Sequence, residues 1–214
     1  MYRRILGGVA AVAFAACFSA SANATVYTNS GGAQGSIGSF GSPDTTSYGE
    51  YFTAPGGALD SWTFRSQSVA AVGNLELVVA SWNGTSAVGP ALYVSAPIAD
   101  SGASNEALTF SGINLALTAG QSYIAYMTVA GVAGPVQGAA IATSSTDVLN
   151  GGGVFDNSQG ANPLTPGNNS WSALGAYFTY SATFGPAAVP EPAGAAVLAF
   201  GLIGLGFVRR RPSR

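Results

Sequence analysis

The chain has 214 residues, 48% of them hydrophobic and only 7% charged, with 30 glycines, one cysteine and no histidine. Six of its seven arginines fall in the first four and last six residues, so the stretch from Thr25 to Ala188 sets a single cation, Arg65, against eight acids, a net charge of −7 without one lysine. Such a surface repels phosphates and excludes nucleic-acid binding by counterion release, while the lack of histidine excludes histidine-assisted nucleophilic catalysis and a histidine zinc site.

At the amino end, Arg3 and Arg4 precede an apolar stretch from Ile5 to Phe18, which closes in the small residues Ser19-Ala20-Ser21-Ala22-Asn23-Ala24. A positive start, a short apolar middle and small residues at Ala22 and Ala24 predict a secretory signal peptide over 1–24, cut after Ala24. Phe14-Ala15-Ala16-Cys17 is a distorted lipobox and gives an alternative reading in which Cys17 carries lipid. Cleavage after Ala24 removes the only cysteine, so the exported protein is expected to lack disulfides and to rely on core packing.

Residues 25–188 are of single-domain size, large enough for a sizeable core. Trp62, Trp82, Trp171 and many Tyr, Phe, Val and Leu residues give this stretch more hydrophobicity than a disordered chain carries. Alternation with period two dominates and no helical stripe is sustained. In 74–82, Leu75, Leu77 and Val79 point one way and Glu76, Val78 and Ala80 the other, a strand pattern. Ile113, Leu115 and Leu117 alternate likewise, turn at Ala119-Gly120 and resume from Ser122 to Val129, which predicts a hairpin. Further strands are expected at 48–53, 59–65, 91–94, 107–111, 137–143, 153–155 and 173–184. Ser30 to Thr46 and Asn150 to Ser170, rich in Gly, Ser, Asn and Pro, are expected as loops. Eight to ten short strands separated by turn residues argue for an all-β ectodomain, an antiparallel β-sandwich or jelly roll.

Three kinds of chemistry are open to this stretch. Trp82-Asn83-Gly84 at a strand end and Trp171 after an Asn-rich loop supply aromatic platforms with polar rims, suited to glycan contact through Trp82, Asn83 and Trp171. Trp62 is expected to fill the core. Two of the eight acids could serve as a glycosidase pair, but no spacing among Asp44, Glu50, Asp60, Glu76, Asp100, Glu106, Asp147 and Asp156 selects one. No cofactor is expected. Asp100 to Glu106 and Asp156-Asn157 offer oxygen ligands for a structural calcium ion without matching the EF-hand spacing, and such Asx residues also form turns. Asn83-Gly84-Thr85 and Asn168-Asn169-Ser170 match the glycosylation triplet, a pattern common by chance.

At the carboxyl end, residues 189–214 run as Val189-Pro190-Glu191-Pro192, an uncharged apolar segment from Ala193 to Val208, and Arg209-Arg210-Arg211. The two prolines remove backbone donors and hold an extended strip suited to a protease cleft. As a helix the apolar segment would span roughly 24 Å at about 1.5 Å per residue, short of the roughly 30 Å hydrocarbon core. Its glycines weaken it further. The arginines after it act as a cytoplasmic stop-transfer signal. On physics alone this is also an ordinary membrane anchor. The three-part order resembles the PEP-CTERM sorting signal of Gram-negative bacteria. That resemblance covers about 26 residues and implies an exosortase as partner, with Val189, Pro190, Glu191 and Pro192 as its substrate motif. It also implies a transient inner-membrane anchor through a single C-terminal helix, then a place in the cell envelope, on the outer surface or in the secreted polysaccharide matrix.

The stretch between also resembles PEP-CTERM ectodomains through Tyr51-Phe52-Thr53-Ala54-Pro55 with Leu59 to Phe64, Ser81-Trp82-Asn83-Gly84 with Val88 to Tyr93, and Leu117 to Tyr123. That similarity implies a β-sandwich and no activity. The resulting expectation is an exported, exosortase-processed surface or matrix protein without catalysis; a cell-surface carbohydrate-binding module and a carboxylate-dependent glycosidase are the rival readings.

Overall fold

The computed structural model describes residues 23–30, 33–67, 70–132, 138–156, 162–164 and 169–186, all within a compact unit from Ala22 to Ala188. In chain order their strands are β1 (Thr25–Asn29), β2 (Ala33–Phe40), β3 (Ser47–Thr53), β4 (Gly57–Arg65), β5 (Gly73–Trp82), β6 (Ala87–Val94) and β7 (Ile98–Asp100). They continue as β8 (Ala107–Leu117), β9 (Ser122–Thr128), β10 (Ala139–Ser144), β11 (Gly152–Asp156), β12 (Trp171–Ala173), β13 (Tyr177–Phe178) and β14 (Tyr180–Phe184). There is no helix among the described residues, and the paired strands are antiparallel, so the described part of the chain is all-β, in line with its period-two patterning.

Three sheets result: four strands in the order β1-β14-β4-β8, three in the order β13-β10-β2, and seven with the path β12-β11-β3-β9-β5-β6, β7 pairing with the start of β5. Alternation decides what each face buries. Leu75, Leu77 and Val79 of β5, Phe52 of β3, and Tyr123, Ala125 and Met127 of β9 enter the main core. There they meet Leu59, Trp62 and Phe64 of β4, Leu108 and Phe110 of β8, and Tyr180, Ala182 and Phe184 of β14. Phe52 links the two sheets, its ring 5.0 Å from Trp62 and 6.2 Å from Phe184. Trp62 is fully buried and stacks on Tyr180 at 4.7 Å, as a core residue should. Burial of each such side chain contributes about 1.5–3 kcal/mol.

The expected hairpin around Gly120 is an arch. β8 pairs with β4 and β9 pairs with β3 and β5, so the turn carries the chain from one sheet to another. The Ala54 N–H donates to the Gln121 carbonyl and the Gly120 N–H to the Ala54 carbonyl, each at 2.9 Å, with Gly120 at φ 77°. Two apolar-alternating segments fill one core equally well side by side or facing each other, so their pattern does not distinguish these arrangements.

Other differences have similar causes. Ser30 to Thr46, expected as a loop, contains β2, which pairs with β10 and buries Phe40 completely; pairing overrides its Gly/Ser composition. Residues 107–117 form one strand through Gly112 at φ 71° and Asn114 at φ 50°. The segment expected as one strand over 173–184 divides into β12, β13 and β14, with Gly175 at φ 73° in the first break. β1 and the three-residue β7 carry too little alternation to be read in advance.

Candidate functional site

The outer face of the seven-stranded sheet carries a second, smaller apolar cluster. Strand register sets three rows across β11, β3, β9 and β5: Asp156, Ser47, Thr128 and Glu76; then Val154, Gly49, Tyr126 and Val78; then Gly152, Tyr51, Ile124 and Ala80. Val78, Ala80, Trp82, Ala87, Ile124, Tyr126 and Val154 pack together there, with Tyr51, Ala91, Leu164 and Trp171 against them.

Glycines make room for these rings. A Cβ on Gly49 would lie 2.5 Å from the Tyr126 Cβ, and one on Gly152 would lie 2.6 Å from both Cε1 and the hydroxyl of Tyr51. Side chains on Gly151 and Gly153 would strike the carbonyl oxygens of Tyr51 and Ala176. The run Gly151-Gly152-Gly153 therefore has a steric reason at every position. It opens β11, which covers the strand expected at 153–155 inside the stretch from Asn150 to Ser170 otherwise expected as a loop.

Four aromatic residues converge above this bed. Tyr51 stacks on Trp82 with ring centroids 5.4 Å apart and planes 5° from parallel. Trp171 sits edge-on to Trp82 at 6.0 Å and to Tyr126 at 5.2 Å. Such pairs contribute about 0.5–1.5 kcal/mol beyond their area burial. The structure thus brings Trp82 and Trp171 together, although 74–82 and 169–173 are far apart in sequence. Trp82 is only 7% exposed and backs the stack, leaving Tyr51 and Trp171 as the half-buried members. Trp171 is positioned by β12, by the Ser170 N–H donating to Asp156 Oδ2 at 2.8 Å, and by Asn169 Nδ2 donating to the Ala87 carbonyl. The Nε1 atoms of Trp82 and Trp171 and Oδ1 of Asn169 are buried without a hydrogen-bond partner.

Asn83 is exposed at the β5–β6 turn, but its Oδ1 accepts from the Thr85 N–H, the Thr85 hydroxyl and the Ser86 N–H at 3.0, 3.1 and 2.9 Å. The residue builds the turn that carries Trp82.

Two adjoining cavities open beside the stack. One, of about 210 Å³, is lined by Tyr51, Trp82, Gly84, Thr85, Val154, Trp171, Ser172 and Ala173. The other, of about 250 Å³, is lined by Tyr51, Gly151, Gly152, Gly153, Ala173, Gly175, Ala176 and Tyr177. Tyr51 and Ala173 border both.

The acids mostly serve the backbone. Glu50 accepts from the Phe178 N–H, Asp100 from those of Val72 and Gly102, Glu106 from Ser101, Asp147 from those of Leu149 and Gly151, and Asp156 from Ser170. In the stretch weighed for calcium, burial raises the Asp100 carboxyl despite its backbone hydrogen bonds, and hydrogen bonds from Ser101 lower Glu106 against its desolvation. Among the described residues no group of three or more His, Cys, Asp or Glu side chains is placed to hold a metal ion. On the outer face, burial followed by the charges of Glu76 and Asp156 raises the Tyr126 hydroxyl far above its ordinary range, keeping it neutral.

Of the terminal sites, Ala24 is exposed immediately before β1, while Ala22, Val189, Pro190, Glu191, Pro192, Arg209, Arg210 and Arg211 lie outside the described residues. Among the described residues no helix is long and apolar enough to cross a membrane. Tyr51, Tyr126 and the Gly151–Gly153 bed were not singled out as site residues by the sequence; the clue was the odd parity of Tyr51 against Tyr48, Glu50 and Phe52. Comparison with protein-family models, curated proteins and solved structures returns no match for this chain.

Proposed function

We propose that the chain is an exported, non-catalytic surface or extracellular-matrix protein that binds glycan through Tyr51 and Trp171, with Trp82 backing them. The observation that carries this reading is the parallel Tyr51–Trp82 stack, with Trp171 edge-on, beside two cavities on one sheet face. Aromatic rings with nearby polar edges match the apolar faces and hydroxyl rims of sugars. The use of five acids as backbone caps supports a role without carboxylate catalysis. The main core shared by the four- and seven-stranded sheets supports a sandwich or jelly-roll architecture.

Delivery is read from the termini. The order Arg3-Arg4, Ile5 to Phe18 and Ala22-Asn23-Ala24 fits a leader. The likeness of 189–214 to the PEP-CTERM signal supports a sorting helix and processing by an exosortase, followed by residence in the polysaccharide-rich envelope or matrix.

A glycan array probed with the full chain and with Trp171→Ala tests the binding role. Retention of a subset of sugars that weakens in the variant is the expected result. Flat signal over all sugars, or equal binding by both proteins, would remove the glycan role.

A further inference from the structure

The two cavities differ in their walls but share Tyr51 and Ala173, and at about 250 and 210 Å³ each is smaller than a pocket for a drug-sized ligand, which occupies roughly 300–1,000 Å³. Each therefore suits one ring-sized unit, and their common border suits a linkage between two. One cavity offers indole and phenol rings; the other is walled by the backbone of Gly151–Gly153 and the 173–177 segment, whose Gly151, Gly153 and Leu174 N–H groups are already paired, so that carbonyl lone pairs are its main polar feature. Apolar ring faces and peptide groups recognise CH surfaces and hydroxyls, and neither requires charge on the ligand.

Charge on this face has one sign. Glu76 and Asp156 flank Tyr126 and both raise its hydroxyl. Arg65, the single cation between Thr25 and Ala188, ends β4 in the four-stranded sheet, its Nη1 donating to the Asn105 carbonyl at 3.2 Å. Among the described residues no arginine or lysine lies on this face, and with eight acids against one cation between Thr25 and Ala188 an anionic polymer meets repulsion.

We infer that the paired cavities are adjacent subsites for two successive uncharged sugar residues, divided by Tyr51, and that uronate polymers are disfavoured. This specificity rests on the glycan-binding reading above. Trp171 supplies the ring edge of the first subsite, and the glycine bed supplies the floor of the second.

Affinity electrophoresis of the full chain in gels containing dextran, galactomannan, hydroxyethylcellulose or alginate tests it, with competition by free glucose, mannose, isomaltose, mannobiose and cellobiose. At least one neutral polymer should retard the chain, with alginate on the order of fivefold weaker or less at low salt and gaining as salt screens the repulsion. The matching disaccharide should compete at about tenfold lower concentration than its monosaccharide. Ala173→Phe, which adds a ring at an exposed position bordering both cavities, should abolish retardation without touching the core. Trp171→Ala separates the two levels of inference. If it weakens binding while alginate binds as well as the neutral polymers, or while monosaccharide and disaccharide compete equally, the two-subsite neutral specificity is overturned and the glycan reading stands. If neither variant alters retardation, or no polymer retards the chain, both are overturned.

Discussion

The carboxylate of Glu50 accepts the backbone N–H of Phe178 at 2.9 Å, 128 positions along the chain. Glu50 lies on the inward face of β3 between Tyr48 and Phe52, fully buried, and Phe178 closes β13 just before the chain enters β14. One side chain thus connects the seven-stranded sheet to the passage between the other two.

Burial, with a further push from Asp147 against the Phe178 hydrogen bond, holds the Glu50 carboxyl well above its ordinary value of 4.5. Its neutral form is favoured by folding, so its contribution is fully present below pH 4.5 and is lost as pH rises through the elevated folded value. Burial raises Glu76 and Asp100 in the same direction, while Glu106 opposes them. Urea midpoints of the full chain should fall from pH 4.5 upward, and Glu50→Gln, which keeps an acceptor for Phe178, should flatten much of that slope. A variant with the parent's slope would place the pH dependence elsewhere.

Phe52 bridges the facing sheets through Trp62 and Phe184. Phe52→Ala should therefore destabilise the fold by about 3–5 kcal/mol, the range for aromatic truncation in a core. Denaturant unfolding followed by tryptophan fluorescence measures this, and a loss below about 1 kcal/mol would show that the core closes around the gap.

Gly153→Ala places a methyl group against the Ala176 carbonyl, which is backbone and cannot swing away. A loss of about 1–3 kcal/mol is expected. Gly38→Ala is the matched control, because nothing lies within 4 Å of its added Cβ, and its effect should stay within about 0.5 kcal/mol. Comparable losses in both would refute the close-approach explanation for the glycine bed.

Removal of Pro190 to Pro192 should leave the producing cell with chain that retains its carboxyl end in the inner membrane. Intact-mass measurement distinguishes this outcome from the processing proposed above. A mature product ending at the same residue with and without the deletion would contradict the sorting role.

Much of the strand content was legible because Leu75, Leu77 and Val79 alternate with Glu76, Val78 and Ala80; the first three enter the main core and Val78 and Ala80 the cluster on the other face. The partner of a strand was less legible: alternation reports which side is buried and leaves open whether the next strand lies beside it or across the core, as the arch at Gly120 shows. For the site, Trp82 and Trp171 could be named as aromatic residues near turns, but their meeting depends on β11 placing Asp156 opposite Trp171. Tyr51 stayed hidden because, in sequence, it is one aromatic residue in a strand that also contains Tyr48 and Phe52. Parity sets Tyr51 apart from Tyr48 and Phe52, but the register is needed to tell which parity faces outward.

β1 pairs along its whole length with β14, Thr25 opposite Phe184 and Asn29 opposite Tyr180. A chain emerging from its amino end holds its opening strand idle until almost the entire domain has followed. That sheet edge cannot be completed before residues 180–184 have been made, and loss of the final few strand residues would unseat the beginning of the domain as surely as its end.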